Sequence, residues 1–348
     1  MRFPLSVASN VTPKNLSMKL ASAAAVLFLG IAACEPLFLP ATFTASVFDD
    51  DGNVVKTEEV DSIKYNEGKI TVSADVLNRG KVTYRTYCAS CHGLKGDGQG
   101  PSAKGLLPPP RNFTPLQVVF KFASVKAGDL PTDDDLVHTV RSGLHGTAML
   151  KWDISEPRLR EVLQYIKTFS KRWKDEGPGT PVAIGPDPYG DAKQAEGAEK
   201  GKQLYYTTPA CHLCHPAYVN QAEYDKIRVA GGKDAGAMRP DASWSVVKFS
   251  ESFGVNVIPP DFTWHQLRSI TQIDTSASPE EQAKQRTQQR KDLFQAIATG
   301  IGGTAMPTWK DAITDDEIWA LAYYVESLMP LRNEPEKREA FMAPLRTK

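Results

Sequence analysis

Cys88-Ala89-Ser90-Cys91-His92 returns further along the chain as Cys211-His212-Leu213-Cys214-His215. Ahead of each stretch a glycine is followed four positions later by tyrosine, Gly80 with Tyr84 and Gly201 with Tyr205. A glycine in a helix lets a second helix approach closely, and the aromatic ring fills the space beside it. Behind each stretch comes a proline segment, Pro109-Pro110-Arg111-Asn112-Phe113-Thr114 in the first copy and Pro259-Pro260-Asp261-Phe262-Thr263, one residue shorter, in the second. Gly146-Thr147-Ala148-Met149 is then matched by Gly303-Thr304-Ala305-Met306, with Trp152 and Trp309 each three residues past the methionine. Each copy closes on an amphipathic helical pattern. Ser155 precedes Leu159, Leu163, Ile166 and Phe169; the capping box Thr314-Asp315-Asp316-Glu317 precedes Ile318, Leu321, Tyr324 and Val325. Self-similarity on this scale means one structural unit used twice.

C-x-x-C-H is a specific signal for covalent haem attachment. The two thiols add across the haem vinyl groups as thioethers, and the next residue lies close enough to the iron for its imidazole to be an axial ligand. Four cysteines and two histidines could also build a zinc site. The wide separation of the motifs, each inside its own repeat, argues against zinc. So few cysteines in 348 residues also make a disulfide framework a poor account.

Each copy resembles a class I cytochrome c domain: N-terminal helix, C-x-x-C-H, proline-containing loop, methionine loop and C-terminal helix. The resemblance covers residues 74–172 and 195–330. It implies a mainly α protein of two tandem class I cytochrome c domains with a small N-terminal β extension, and two covalently bound haem c groups. Cys88, Cys91, Cys211 and Cys214 would hold the haems, His92 and His215 would be proximal iron ligands, and Met149 and Met306 distal ones. Trp152 and Trp309 resemble tryptophans that pack near haem propionates, with simple core filling as the alternative. His138 and His145 are rivals to Met149, although the position aligned with His145 in the second copy is Gly302. Met238, inside an insertion, is a weaker rival to Met306. His212 is expected to face solvent, and His265, with no repeat partner, to be structural.

The remaining segments frame the two copies. Met18-Lys19 and the apolar stretch from Leu20 to Ala33 read as a signal peptide (1–33), since the stretch is too short to span a bilayer. Ile31-Ala32-Ala33-Cys34 resembles a bacterial lipobox, which makes Cys34 a lipidation site and the protein an exported, membrane-anchored lipoprotein on the periplasmic side. Glu35 after it favours the outer membrane in the resembling lipoproteins. Residues 34–73 are then a lipidated extension, in which the alternation from Phe43 to Phe48, Asp51-Gly52 and the pair Val54-Val55 predict a β-hairpin. Asp49, Asp51 and Asn53 suggest a calcium loop, but Val54 stands where that loop needs glycine. Four prolines and several glycines mark 173–194 as a linker, and 331–348 reads as a C-terminal tail.

Charge narrows the partners. The chain has 41 basic and 41 acidic residues; cleavage before Cys34 removes Arg2, Lys14 and Lys19 and leaves 38 against 41. A mildly acidic protein gives no reason to expect nucleic-acid binding, which runs on a basic face. Histidine–methionine ligation would fill both axial positions of each iron and favour the ferrous state. That is an electron carrier's arrangement, with redox proteins such as a respiratory membrane complex or a terminal oxidase or reductase as partners. The competing reading is a dihaem cytochrome c peroxidase-like enzyme, which needs an open distal position and acid–base side chains above it. A haem sensor would need a signalling domain, and none is visible. The histidine-to-methionine spacing is 57 residues in the first copy and 91 in the second, the excess falling mainly in 216–257 and again around 276–291. Those insertions suit either a partner-docking surface or surface loops.

Overall fold

In each repeat the helix ahead of the haem motif crosses the last helix of the repeat, and a glycine marks the crossing. In the computed structural model, which describes residues 42–48, 54–61, 65–66, 69–70, 72–115, 120–238, 249–250 and 256–346, α1 (Ala74–Tyr87) is capped by the Ser73 hydroxyl and packs on α4 (Glu156–Lys167). A Cβ at Gly80 would lie 2.9 Å from the Glu161 carbonyl carbon, so only glycine allows this approach. Leu159, Leu163 and Ile166 face inward as expected and stabilise the first core by about 1.5–3 kcal/mol each. Ser155 occupies the cap position of α4 without a side-chain capping bond. Between these helices the chain makes α2 (Ala89–His92), the single turn that carries the first motif, and α3 (Asp133–Ser142), started by a Thr132–Asp135 capping box.

After the short α5 (Arg172–Asp175) the pattern repeats. Helix α6 (Gln194–Tyr206) crosses α9 (Asp315–Leu328), whose Thr314–Glu317 capping box forms as the sequence predicts. Between them lie the 3-10 turn Cys211–Leu213, α7 (Gln221–Ala230) and α8 (Pro279–Thr299). Helix α9 departs from a simple amphipathic pattern. Beyond Ile318, Leu321, Tyr324 and Val325 it also buries Trp319, Ala320, Ala322 and Tyr323, because further segments cover its outer face.

One of those segments is the 173–194 stretch, which is a strap fixed to both repeats rather than a loose linker. The Trp319 indole donates to Gly185 O at 3.1 Å, Tyr323 Oη donates to Asp187 at 2.6 Å, and Tyr189 is buried in the second core. On the other side Gly179 N donates to Leu130 O and Val182 N to Ser124 O. The C-terminal residues likewise fold back: α10 (Pro335–Arg346) follows the 3-10 turn Met329–Asn333 and buries Met342 in the second core, where the sequence suggested a tail.

The N-terminal extension contains the expected hairpin. Strands β1 (Thr42–Phe48) and β2 (Val54–Asp61) pair antiparallel from Thr42↔Asp61 to Phe48↔Val54, with a bulge at Val47/Phe48. Two small antiparallel pairs follow, β3 (Tyr65–Asn66) with β4 (Lys69–Ile70), and β5 (Phe249–Ser250) with β6 (Asn256–Val257) inside the insertion. Residues 1–41, with the leader and Cys34, and the hairpin turn at 49–53 lie outside the described residues. Among the described residues no helix is long and apolar enough to cross a membrane.

Candidate haem sites

Each motif occupies one helical turn, with His92 N bonded to Cys88 O at 2.9 Å and His215 N to Cys211 O at 2.9 Å. Residues at i, i+3 and i+4 share a face of such a turn, so both cysteines and the histidine of each motif address the same space. A buried tyrosine ties the turn to the helix before it. Tyr84, 0% exposed, donates its hydroxyl to Gly93 O at 2.8 Å, and Tyr205 donates to Pro216 O at 2.8 Å. Each acceptor is the residue just after the motif histidine.

The histidines are set in the same way twice. His92 Nδ1 lies 3.0 Å from Arg111 O and His215 Nδ1 lies 3.1 Å from Pro260 O. A carbonyl only accepts, so Nδ1 carries the proton and Nε2 keeps its lone pair for a metal. Phe113 stacks on the His92 ring, and Phe262 on the His215 ring, each with centroids 4.8 Å apart. Burial pushes His92 below the ordinary imidazole value, which favours the neutral, ligating form. It also pushes the thiols of Cys88 and Cys211 up to about 12.

This arrangement shows where the two proline segments correspond. Asn112 Oδ1 accepts from Thr114 N and Oγ1 at 2.9 and 2.8 Å, and Asp261 Oδ1 accepts from Thr263 N and Oγ1 at 2.9 and 2.7 Å. Pro110 to Thr114 therefore superposes in role on Pro259 to Thr263 without a gap; the proline pairs are out of register by one. The second copy adds a brace, since Arg338 of α10 donates to Asp261 Oδ2 at 3.0 Å while its guanidinium stacks over Trp264.

The methionine loops are also built alike. Thr147 Oγ1 donates to Leu144 O and accepts from Met149 N at 3.1 Å; Thr304 Oγ1 donates to Ile301 O and accepts from Met306 N at 3.1 Å. Gly143 and Gly300 end the preceding helices at φ 67° and 73°, where a Cβ would strike the carbonyls of Met149 and Met306. The shared pattern is thus Gly-x-x-Gly-Thr-Ala-Met, three residues longer than the sequence comparison used. A second missed correspondence lies before it. Asp135 of α3 accepts from Ser124 N and Oγ, as Asp292 of α8 accepts from Thr271 N and Oγ1. The C-terminal half of α8 is therefore the counterpart of α3, and its N-terminal half is the insertion.

In the second copy, Cys211, Cys214, His215, Met306 and Trp309 line one cavity of about 1360 Å³, roofed by apolar side chains such as Leu293 and Leu321. The His215 imidazole, the Met306 thioether and the two thiols of the motif on apolar walls suit a planar macrocycle held covalently. Among the described residues no group of three or more His, Cys, Asp or Glu side chains converges to hold a bare metal ion. The first copy repeats the motif turn, the stacked phenylalanine and the methionine loop. Trp152 differs from Trp309: it is 38% exposed and packs edge-on against Tyr87, next to Cys88.

The rival ligands fall elsewhere. His138 is exposed on α3, and His145 lines the cavity of the second copy. Met238 packs against the second core. His265 Nδ1 accepts from Asp261 N at 2.9 Å, a structural role. His212 is a correction to the sequence reading. It is 4% exposed, not solvent-facing, with Nδ1 3.2 Å from Tyr205 O and Nε2 3.3 Å from Tyr224 Oη. The insertion supplies that cover, because Tyr224 stands on α7.

Fold and site together define a c-type cytochrome, a class whose cofactor is covalently bound haem c and whose general task is electron transfer. The family described as cytochrome c oxidase, cbb3-type, subunit III matches residues 75–166 and 271–325, which takes in the first motif and both methionine loops but not the second motif. Among solved structures, a chain of the reducing HAO-like protein complex of Kuenenia stuttgartiensis is similar, with 28% identity and a TM-score of 0.53 over 72% of this chain and 95% of that one. No curated protein matches the chain.

Proposed function

We propose that the protein is a dihaem electron-transfer cytochrome passing single electrons between redox proteins of a respiratory or related chain. The observation that carries this reading is the double occurrence of one arrangement: an imidazole fixed by a backbone carbonyl and a stacked phenylalanine, paired with the same threonine-braced methionine loop. Cys88 and Cys91 would hold the first haem and Cys211 and Cys214 the second, with His92 and His215 as proximal ligands and Met149 and Met306 as distal ones. Haem c supplies a one-electron couple. The chain's own residues orient the imidazoles, present a soft thioether that favours the reduced state, and exclude water with apolar walls. A peroxidase-like role would need an acid–base group over an open first iron; of the two candidates for it, His145 lines the second cavity and His138 is exposed on α3. Because the similar solved chain belongs to a reducing HAO-like protein complex, a role as the electron-transfer subunit of an assembly fits best. Export and a lipid on Cys34 would hold the protein at the periplasmic face of a membrane; Cys34→Ser would then release it to the soluble fraction.

Intact mass and pyridine haemochrome on the purified protein test the central part. Two haems per chain are expected, falling to one when Cys88 and Cys91 are both changed to alanine, and to one when Cys211 and Cys214 are. A single haem in the unaltered protein would overturn the reading.

A further inference from the structure

The loop that fixes the second motif's imidazole carries a charge that the first loop does without. His215 Nδ1 lies 3.1 Å from Pro260 O, and the residue after that carbonyl is Asp261. In the first repeat the corresponding carbonyl belongs to Arg111, and the residue after it is Asn112. Both side chains close the same turn with one oxygen. Asn112 Oδ1 accepts from Thr114 N and Oγ1, and Asp261 Oδ1 from Thr263 N and Oγ1. An amide therefore suffices to build the turn, and the second oxygen of Asp261, with the negative charge, has a different use.

That oxygen is where α10 arrives. Arg338 Nη2 donates to Asp261 Oδ2 at 3.0 Å, and Arg338 Nε donates to Thr263 Oγ1 at 3.0 Å. The arginine and aspartate side chains are 16% and 15% exposed, and Thr263 is fully buried. The other donors to the carboxylate are uncharged, Thr263 and the Tyr218 hydroxyl at 3.2 Å. Among the described residues Arg338 is its one ion-pair partner, and no charged side chain bonds Asn112 in the first loop. Helix α10 has a separate anchor in Met342, buried in the second core with Phe341 and Leu345 packed against it. Losing either partner would strand the other's charge in a place that water and salt screen poorly, beside the His215 loop.

We propose that Arg338 and Asp261 form a charge pair that sets the reduction potential of the second haem, so that the C-terminal helix tunes one haem and not the other. The proposal rests on the dihaem reading above, with His215 as the second iron's ligand. Both are positioning residues that act through Pro260 O and the His215 imidazole. Oxidation leaves one more positive charge at the iron. An Asp261 carboxylate without its arginine favours that oxidised form and makes the acceptor of the His215 Nδ1 proton more negative. An arginine without its carboxylate does the opposite.

The test is a potentiometric titration at neutral pH of the full-length holoprotein carrying Arg338→Gln, Asp261→Asn or both. Asp261→Asn gives the second loop the residue that already closes the first. The second haem is assigned by the separate variant Met306→His, which alters its axial ligand alone. Arg338→Gln should shift the second haem's equilibrium about three- to tenfold toward the oxidised form, up to about 59 mV for a one-electron couple. Asp261→Asn should shift it by a similar factor toward the reduced form, and the double variant should lie close to the unaltered protein. Arg338→Lys, which keeps the charge, should restore most of the potential, and the first haem should stay in place throughout. Lys337→Gln is the control, since Lys337 is exposed on the same helix and pairs with Glu334. A brace that merely held the loop would shift both single variants the same way, with the double variant no nearer the unaltered protein. That result, unmoved potentials, or an equal shift with Lys337→Gln would overturn the proposal. If Arg338→Gln does not retain its second haem, Asp261→Asn decides alone, and a potential that falls or stays put overturns the proposal. A single haem per chain in the haemochrome assay would instead overturn the dihaem reading beneath it.

Discussion

Replacing Gly201 with alanine should cost more stability than its small size suggests. A Cβ there would lie 2.5 Å from the Ala320 carbonyl carbon and 2.8 Å from Tyr324 Cβ, and closer still to the Ala320 oxygen. Ordinary contact begins at about 3.4 Å, so α6 and α9 must part by roughly an ångström at their crossing. The obstacle is backbone and cannot rotate away. Overpacking of this kind costs about 1–3 kcal/mol, and a backbone clash belongs at the upper end. Alanine returns about 1 kcal/mol through helix propensity, leaving a net loss near 2 kcal/mol. For a unit of this size that corresponds to a fall in Tm of about 4–8 °C. Gly236→Ala, where an added Cβ meets nothing within 4 Å, is the matched control. Thermal unfolding of the oxidised holoprotein, followed by far-ultraviolet dichroism and by the Soret band, reads both variants. If Gly201→Ala melts within a degree of Gly236→Ala, glycine is not what permits the crossing.

Two further perturbations probe the second repeat. Arg290, at 4% side-chain exposure, donates to Glu326 and to Asp191, and burial holds the Glu326 carboxyl above its usual range even with this partner. Arg290→Met removes the groups that pull Glu326 down, so its folded pKa rises further above the unfolded value of about 4.3. A carboxyl raised on folding costs nothing while protonated and destabilises increasingly as pH climbs through its folded value. The variant should therefore lose about 3–5 kcal/mol at pH 8 but clearly less at pH 5 in urea titrations; equal losses would contradict this. His212→Ala should cost about 2–3 kcal/mol while both haems stay attached, because it strands Tyr224 and empties a buried site. A loss under about 0.5 kcal/mol would return His212 to the surface.

Much of the architecture was legible because the chemistry is local. C-x-x-C-H places its ligand within one helical turn, Gly80 and Gly201 mark the two helix crossings, and Thr314-Asp315-Asp316-Glu317 starts α9 as written. The Phe43–Phe48 alternation likewise yields β1 and its partner. What sequence reading missed depends on distant chain. His212 reads as solvent-facing because its place in the motif cannot reach the iron together with His215; Tyr224, carried in on an inserted helix, buries it. The 173–194 strap has a linker's composition, yet Asp187 and Tyr189 are held by Tyr323 and the second core, residues far away in sequence. Helices α3 and α8 hid their kinship because the insertion lengthens one of them, leaving only the Asp135–Ser124 and Asp292–Thr271 bonds to show it. His145 was weighed as a ligand for its own repeat, whereas its backbone and side chain both address the other one.

The most direct test of the account is an optical spectrum of the fully reduced protein before and after carbon monoxide. If Met149 and Met306 close both irons as proposed, neither haem should bind the gas and the spectrum should not change. Stoichiometric binding at one haem would contradict the electron-carrier account and point to an open site with chemistry of its own.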